Sequence, residues 1–169
     1  MRTTFIVGAS VALALLFSSS SFAQDKASQK FLKEAIEGNL AEVQMGQLAQ
    51  KQADSDGVRS FGQMLEKDHS DANQKAVAAA KSMDVTAPTE PNAKQKATYD
   101  RMSKLSGAKF DHEFVRHMIV DHKKDIKAYE TEAKKKDAAG NYASETLPTL
   151  RKHLDTAQSL AGAATTGKR

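Results

Sequence analysis

From Phe110 to Tyr129 the apolar residues return every three or four positions: Phe110, Phe114, Met118, Ile126 and Tyr129 share one side of a helical wheel with Val115 and Ile119. At about 100° per residue that period belongs to an α-helix and not to a strand, whose faces alternate at every second residue. Arg116, Lys123 and Lys127 gather on the opposite side. An amphipathic helix of this length must bury its stripe against other elements, so this one segment directs the chain toward packed helices. It also sets a problem, because His122 falls near the middle of the apolar side, with Asp121 and Asp125 closer to its edge.

The remainder of the chain repeats the pattern. Helices are expected at about 27–53, 55–83, 107–136 and 139–162, and no stretch shows sustained two-residue alternation. The joints near Asp54–Gly57 and Lys136–Ala138 are short, so each flanking pair is expected to fold back antiparallel. Between the second and third helices, Pro88 and Pro91 break the chain, a short helix is expected over 93–104, and Ser106-Gly107 punctuates. The fold class is therefore all-α, an antiparallel four-helix bundle with a short extra helix in its long connection. Pro148 either removes a backbone bond inside the fourth helix or marks a later start for it. Lys134 to Lys136 suit the negative dipole end of the third helix.

The first residues are an address. Arg2 precedes an apolar run from Phe5 to Phe17, then a Ser-rich stretch ending Ser21-Phe22-Ala23. This predicts a secretory signal peptide over 1–23, cleaved after Ala23, and a periplasmic or secreted product. No later segment reaches the roughly 18 consecutive apolar residues of a membrane span, so the mature chain is expected to be soluble. Residues 24–169 fit one domain with a buried core. Without Arg2, 24 basic residues face 21 acidic ones, spread through mixed-sign helices with no dense patch for nucleic acid. The chain has no cysteine, which excludes disulfides, thiol chemistry and a lipidated cysteine. Nothing in the sequence points to a protein partner or an oligomeric state.

Each long helix offers one inward polar residue. On the second, Val58, Phe61, Leu65, Ala72, Ala76 and Met83 face inward, with His69 and Asp68 flanking the middle of the stripe. "FGQMLEKDH" at 61–69 and "FVRHMIVDH" at 114–122 share Phe-x-x-x-apolar-x-x-Asp-His. On the first, Glu42 lies in line with Phe31, Ala35, Gly38 and Ala49; on the fourth, His153 sits on the shoulder of the stripe of Leu147, Leu150, Leu154 and Ala157. The heights agree as well. Glu42 and His69 stand about 12 and 14 residues from the first joint, and His122 and His153 about 15 from the second. Mismatches of one to three residues are only about 2–5 Å along a helix axis, so the four side chains are expected in one layer.

Gly38-x-x-x-Glu42-Val43, "MLEKDH" at 64–69, "LSGAKFD" at 105–111 with Met118 to His122, and "TLPTLRKHL" at 146–154 occur in that order. In these motifs, across roughly 28–160, the chain resembles the bacterial domain-of-unknown-function family numbered 4142, exported helical proteins grouped with the ferritin-like bundles. Phe114 stands where that family is expected to have Tyr. The resemblance implies a ferritin-like fold and export. It implies no activity, and the "outer membrane protein" label some members carry, taken as a β-barrel, conflicts with the helical periodicity.

The residues resist a di-iron oxidase, whose irons need a Glu on each of two helices and Glu-x-x-His on the other two. Here Glu66 to His69 is one such pair, and Glu66 falls on the stripe margin; Ile119 and Leu150 stand three before His122 and His153. Two readings of the layer stay open. In the first, Glu42, His69, His122 and His153 hold one transition-metal ion (zinc, iron, manganese or copper), with Asp68 and Asp121 behind them as hydrogen-bond acceptors or further oxygen ligands. In the second they form a buried hydrogen-bond network that fixes helix register, sparing each group a penalty of about 1–3 kcal/mol. His112 and His117 lie toward the outer margin, and Met45, Met64, Met83 and Met118 occupy core positions and not a copper-carrier's Met run.

No catalytic triad order, phosphate loop or nucleotide fingerprint occurs, so no residue is assigned a catalytic role. The sequence thus reads as an exported bundle that binds or stores a metal ion. The rival is an envelope structural or interaction module, which an exposed apolar stripe at Leu40 and Leu48 would favour. A metal-dependent enzyme would need an open coordination position and a pocket reaching it.

Overall fold

The computed structural model describes residues 16–166, with side chains at 26–163. The signal peptide expected at 1–23 lies outside the described residues up to residue 15, and beyond that only its backbone is described, as the first turns of a helix. Five helices follow in order: α1 (Leu16–Gln52), α2 (Asp56–Ser82), α3 (Ala93–Met102), α4 (Gly107–Glu132) and α5 (Ala138–Thr166), with no strand among the described residues. No helix of the described residues is long and apolar enough to cross a membrane.

The helix ends follow from local chemistry. Ser55 caps α2 by accepting from the Val58 N–H at 3.3 Å. Asp111, from α4, accepts from the backbone N–H groups of Asp54 and Ser55 at 3.0 and 2.9 Å, and so fixes the turn between α1 and α2. At the far end of α2, Asp84 takes a left-handed conformation (φ 54°), which lets the Val85 N–H reach the Ala80 carbonyl at 2.9 Å and seats Val85 in the core. Asn92 and Gln95 close a reciprocal capping box on α3. Gly107 opens α4 at φ 62°, a conformation a side chain would disfavour.

One expectation is corrected, and one left open is decided. The third long helix ends at Glu132 and not at 136. The buried Glu132 carboxylate takes an ion pair from Lys135 at 2.8 Å, and Lys135 also donates to the Ser28 hydroxyl at 3.1 Å, which in turn donates to Asp137 at 2.8 Å. The lysine run is thus a turn pinned to α1, with Lys135 serving a specific carboxylate. The fourth long helix starts at Ala138 and runs through Pro148, so the later start does not occur.

α1 packs most extensively on α2, and α4 on α5. Two glycines let α1 and α2 approach closely: a Cβ added at Gly46 would stand 2.5 Å from the Gly62 carbonyl oxygen. The apolar core is divided in two. One cluster takes Phe31 to Ile36 from α1, Ala76 and Ala80 from α2, Tyr129 from α4, and residues from Ala139 to Leu150 of α5. The other takes residues from Met45 to Ala53, Val58 to Leu65, Phe110 to Met118, and Ala157. Every long helix therefore changes cluster between its two apolar stretches, at 39–42, 69, 122 and 153, where polar residues stand. Along α1 and α5 the first cluster precedes the second, and along α2 and α4 the order is reversed.

Candidate metal centre

The polar layer between the clusters is built from one or two residues per long helix. α1 contributes Asn39 and Glu42, three positions apart and hence on one face; α2 contributes His69, with Asp68 beside it; α4 contributes His122 and α5 His153. All five of Asn39, Glu42, His69, His122 and His153 are buried, the last two completely. The four residues expected in one layer are brought together. The internal sequence likeness has a spatial counterpart, since Phe61 packs on Phe114 with ring centroids 6.0 Å apart and His69 on His122 at 5.9 Å.

Each imidazole has one nitrogen committed to an oxygen acceptor other than Glu42. A carbonyl oxygen only accepts, so His122 donates its Nδ1–H to Met118 O at 3.0 Å, and in the neutral ring its Nε2 keeps a lone pair. The Asp68 carboxylate likewise takes the Nε2–H of His153 at 3.0 Å, leaving His153 Nδ1 as a lone pair. These two lone-pair nitrogens face each other at 3.2 Å. Burial, with the neighbouring charge of His69, holds His153 down to about 4, and burial also lowers His122, so neither ring takes the second proton that a bond between them would need. His69 donates from Nδ1 to the Asn39 side-chain oxygen at 3.0 Å; Asn39 donates on to the Tyr142 hydroxyl at 2.9 Å, and Tyr142 meets Tyr129 at 3.2 Å.

The inner side of the layer is left short of partners. His69 Nε2 abuts Glu42 Oε2 as an ion pair without hydrogen-bond geometry, and Glu42 Oε1, 3.6 Å from His122 Nδ1, has no hydrogen-bond partner. Burial works against the Glu42 carboxylate, but His122 and His69 beside it outweigh that and hold its pKa well below the ordinary carboxylate range. Burial opposes the charge on His69 as well, and Glu42 overcomes it and raises the pKa of the ring. The layer thus favours an anionic carboxylate against a protonated His69, beside two imidazoles whose facing nitrogens have no donor between them. His69, His122 and His153 each present one nitrogen, and the three lie within 4.8 Å of one another, close enough to share one ion.

A cavity of about 270 Å³ between α1, α3 and α4 reaches this layer, with Glu42, His69 and Asn39 in its wall. Asp121 and Asp125 also line it. Asp121 does not stand behind a layer histidine as Asp68 does; it lies 3.6 Å from His117 across one helical turn. Asp125 is pushed up to about 7 by burial and by the like charges of Glu42 and Asp121. Asn39, the Met118 carbonyl, Tyr142 and Asp125 were not part of the sequence-based site; the available signals were the spacing of Asn39 three residues before Glu42 and the place of Asp125 at the edge of the apolar side. Glu66 points away, accepting from Gln47 and Gln50 at 2.8 and 2.7 Å, in keeping with the absence of a di-iron ligand pattern. The apolar stripe that would have favoured an interaction module does not form: Leu48 is buried and Leu40 packs against the first core cluster. His112 is exposed.

A family model described as "Domain of unknown function (DUF4142)" matches residues 17–160, and the chain belongs to that family. Neither the curated proteins nor the solved structures contain a match to it.

Proposed function

We propose that this member of the family is an exported, ferritin-like four-helix protein that binds one divalent transition-metal ion through His69, His122, His153 and Glu42. The observation that carries the reading is the pair of apposed lone pairs on His122 Nε2 and His153 Nδ1, 3.2 Å apart. Two nitrogens at the usual zinc–nitrogen length of about 2.0–2.1 Å on a tetrahedral ion are about 3.3 Å from each other. The outer bonds to Met118, Asp68 and Asn39 fit the same reading, since metal-bound imidazoles donate their other N–H to a carbonyl or carboxylate, which fixes the ring and raises its basicity. Binding would displace the proton that His69 holds against Glu42, putting a cation where a proton now balances the carboxylate. Three nitrogens and an oxygen suit zinc, ferrous iron, manganese or copper.

The reversed order of the core clusters along α2 and α4, with a long connection between them, supports a ferritin-like connectivity. The amino-terminal pattern of Arg2, the run from Phe5 to Phe17 and Ser21-Phe22-Ala23 supports export, and with it a role in binding or sequestering metal in the cell envelope. A purely structural network accounts for the ion pair of Glu42 and His69 but leaves the lone pairs of His122 and His153 in contact, a repulsion that an ion removes.

Elemental analysis of the mature protein, purified without affinity tag or chelator, tests this. Near-stoichiometric metal is expected in the wild type and none in His122→Ala or His153→Gln, each checked for retained helicity by circular dichroism. A wild type that holds no metal and gains no thermal stability from added zinc, iron, manganese or copper would establish the network reading instead.

A further inference from the structure

The cavity on the α1, α3 and α4 face is more than a gap beside the layer. Its carboxylates form a gradient of depth: the side chain of Glu34 is 61% exposed, Asp121 37%, Asp125 31% and Glu42 7%. On α1, Glu34 and Glu42 are two turns apart, and the residue midway is Gly38, where an added Cβ would find no atom within 4 Å. The missing side chain leaves the passage between the two carboxylates open. On α4, His117, Asp121 and Asp125 follow one another at four-residue spacing, about 6 Å per step, and all three line the same cavity. At its inner end stands Glu42, nine-tenths buried, with Oε1 unpartnered.

Four carboxylates outnumber the two lysines of the wall, Lys94 and Lys124. Lys124 is 78% exposed and only 3.8 Å at best from Asp125, a loose pair that a divalent cation would outcompete. Although Glu34 pairs with Lys30 at 3.1 Å and Glu42 with His69, the excess of carboxylates favours cations, and a cleft of net negative charge speeds their arrival by about tenfold or more. Oxygen ligands at successive depths let a partly hydrated cation exchange its waters for carboxylate oxygens step by step instead of losing them at once.

We propose that this cavity is the uptake path of the metal centre, along which Glu34, Asp121 and Asp125 pass divalent cations inward to Glu42, with Gly38 keeping the path clear. The inference rests on the metal reading above and adds how the ion arrives: the centre is loaded from one face of the bundle and exchanges its ion through that face.

Stopped-flow uptake of Co²⁺, followed by its visible absorption, separates the path from the centre. The Asp121→Asn, Asp125→Asn double variant keeps shape and removes charge. Gly38→Leu narrows the passage at a helical position that favours a side chain. The double variant is expected to load about tenfold more slowly at low ionic strength, with the difference shrinking as salt is added. Both variants are expected to slow uptake and chelator-driven release alike, and so to reach the wild-type stoichiometry and affinity. Glu145→Gln, on the exposed side of α5, should load at the wild-type rate. Wild-type rates in both test variants would overturn the path and leave the centre standing. Lost stoichiometry at an unchanged rate would place the two aspartates in the centre itself and also overturn it. A wild type that takes up neither Co²⁺ nor zinc, iron, manganese or copper would remove the metal reading and the path together.

Discussion

Alanine at Gly46 and at Gly38 should shift stability in opposite directions, although both glycines lie inside α1. Relative to Gly, Ala favours a helix interior by about 0.5–1 kcal/mol. At Gly38 nothing lies within 4 Å of the new methyl, so that gain should appear in full. At Gly46 the methyl would stand 2.5 Å from the Gly62 carbonyl oxygen and 2.9 Å from the Glu66 amide nitrogen, both backbone atoms. Ordinary contact needs about 3.4 Å or more, so α1 and α2 must part locally by nearly 1 Å. Overpacking of this kind costs about 1–3 kcal/mol, and after the helical gain the net loss should be about 1–2 kcal/mol. In a domain of this size that lowers Tm by about 2–8 °C, while Gly38→Ala should raise it by about 1–4 °C. Urea and thermal unfolding followed by circular dichroism, in chelator at one pH, measure both. Equal stabilisation by the two variants would refute the close approach of α1 and α2. The contact also bears on the centre, because Gly46 is one turn from Glu42 and Gly62 two turns from His69. On the metal reading Gly46→Ala should weaken ion binding, and Gly38→Ala should not.

Asp125 carries a pH dependence. Its folded pKa of about 7, raised by burial and by Glu42 and Asp121, exceeds its ordinary 3.8, so the folded state binds more protons between those values and wild-type stability falls as pH rises through them. Asp125→Asn should match the wild type below about pH 4 and exceed it by about 2 kcal/mol above pH 7, allowing for its partial exposure to water; a difference that does not change with pH would refute this. Asp68→Asn replaces the carboxylate that holds His153 Nε2–H at 3.0 Å. Loss of such an acceptor lowers metal affinity about 10- to 100-fold, to be read by competition with a chromophoric chelator, and an unchanged affinity would remove Asp68 from the centre. Asp111→Ala strips two backbone N–H groups of the α1–α2 turn of their acceptor and should cost about 1 kcal/mol in urea unfolding, with metal stoichiometry unchanged.

The layer has a structural consequence whether or not an ion fills it. Because it separates two apolar clusters on every long helix, sliding one helix by a turn would bury His69, His122 or His153 against hydrocarbon without an acceptor. Such a mismatch costs about 1–3 kcal/mol per group, enough to single out one register among otherwise interchangeable apolar stripes.

The helices, their inward faces and the level at which Glu42, His69, His122 and His153 meet were legible in the sequence, for a physical reason. On a helix, the direction and height of a side chain follow from residue number alone, and short joints at 53–55 and 133–137 leave each neighbour little choice but to fold back. The helix stop at Glu132 was not legible, since the lysine run continues the helical composition and the stop depends on Ser28 and Asp137, more than a hundred residues apart in sequence. Nor was the role of each aspartate. Asp68 and Asp121 occupy equal places in the two similar segments, yet Asp68 crosses to His153 on α5 while Asp121 faces the cavity with His117. Local sequence sets which way a residue leans. For His153 and His69, which nitrogen of the ring keeps its lone pair depends on an acceptor from another helix, Asp68 or Asn39, and only the packed tertiary structure decides which acceptor arrives.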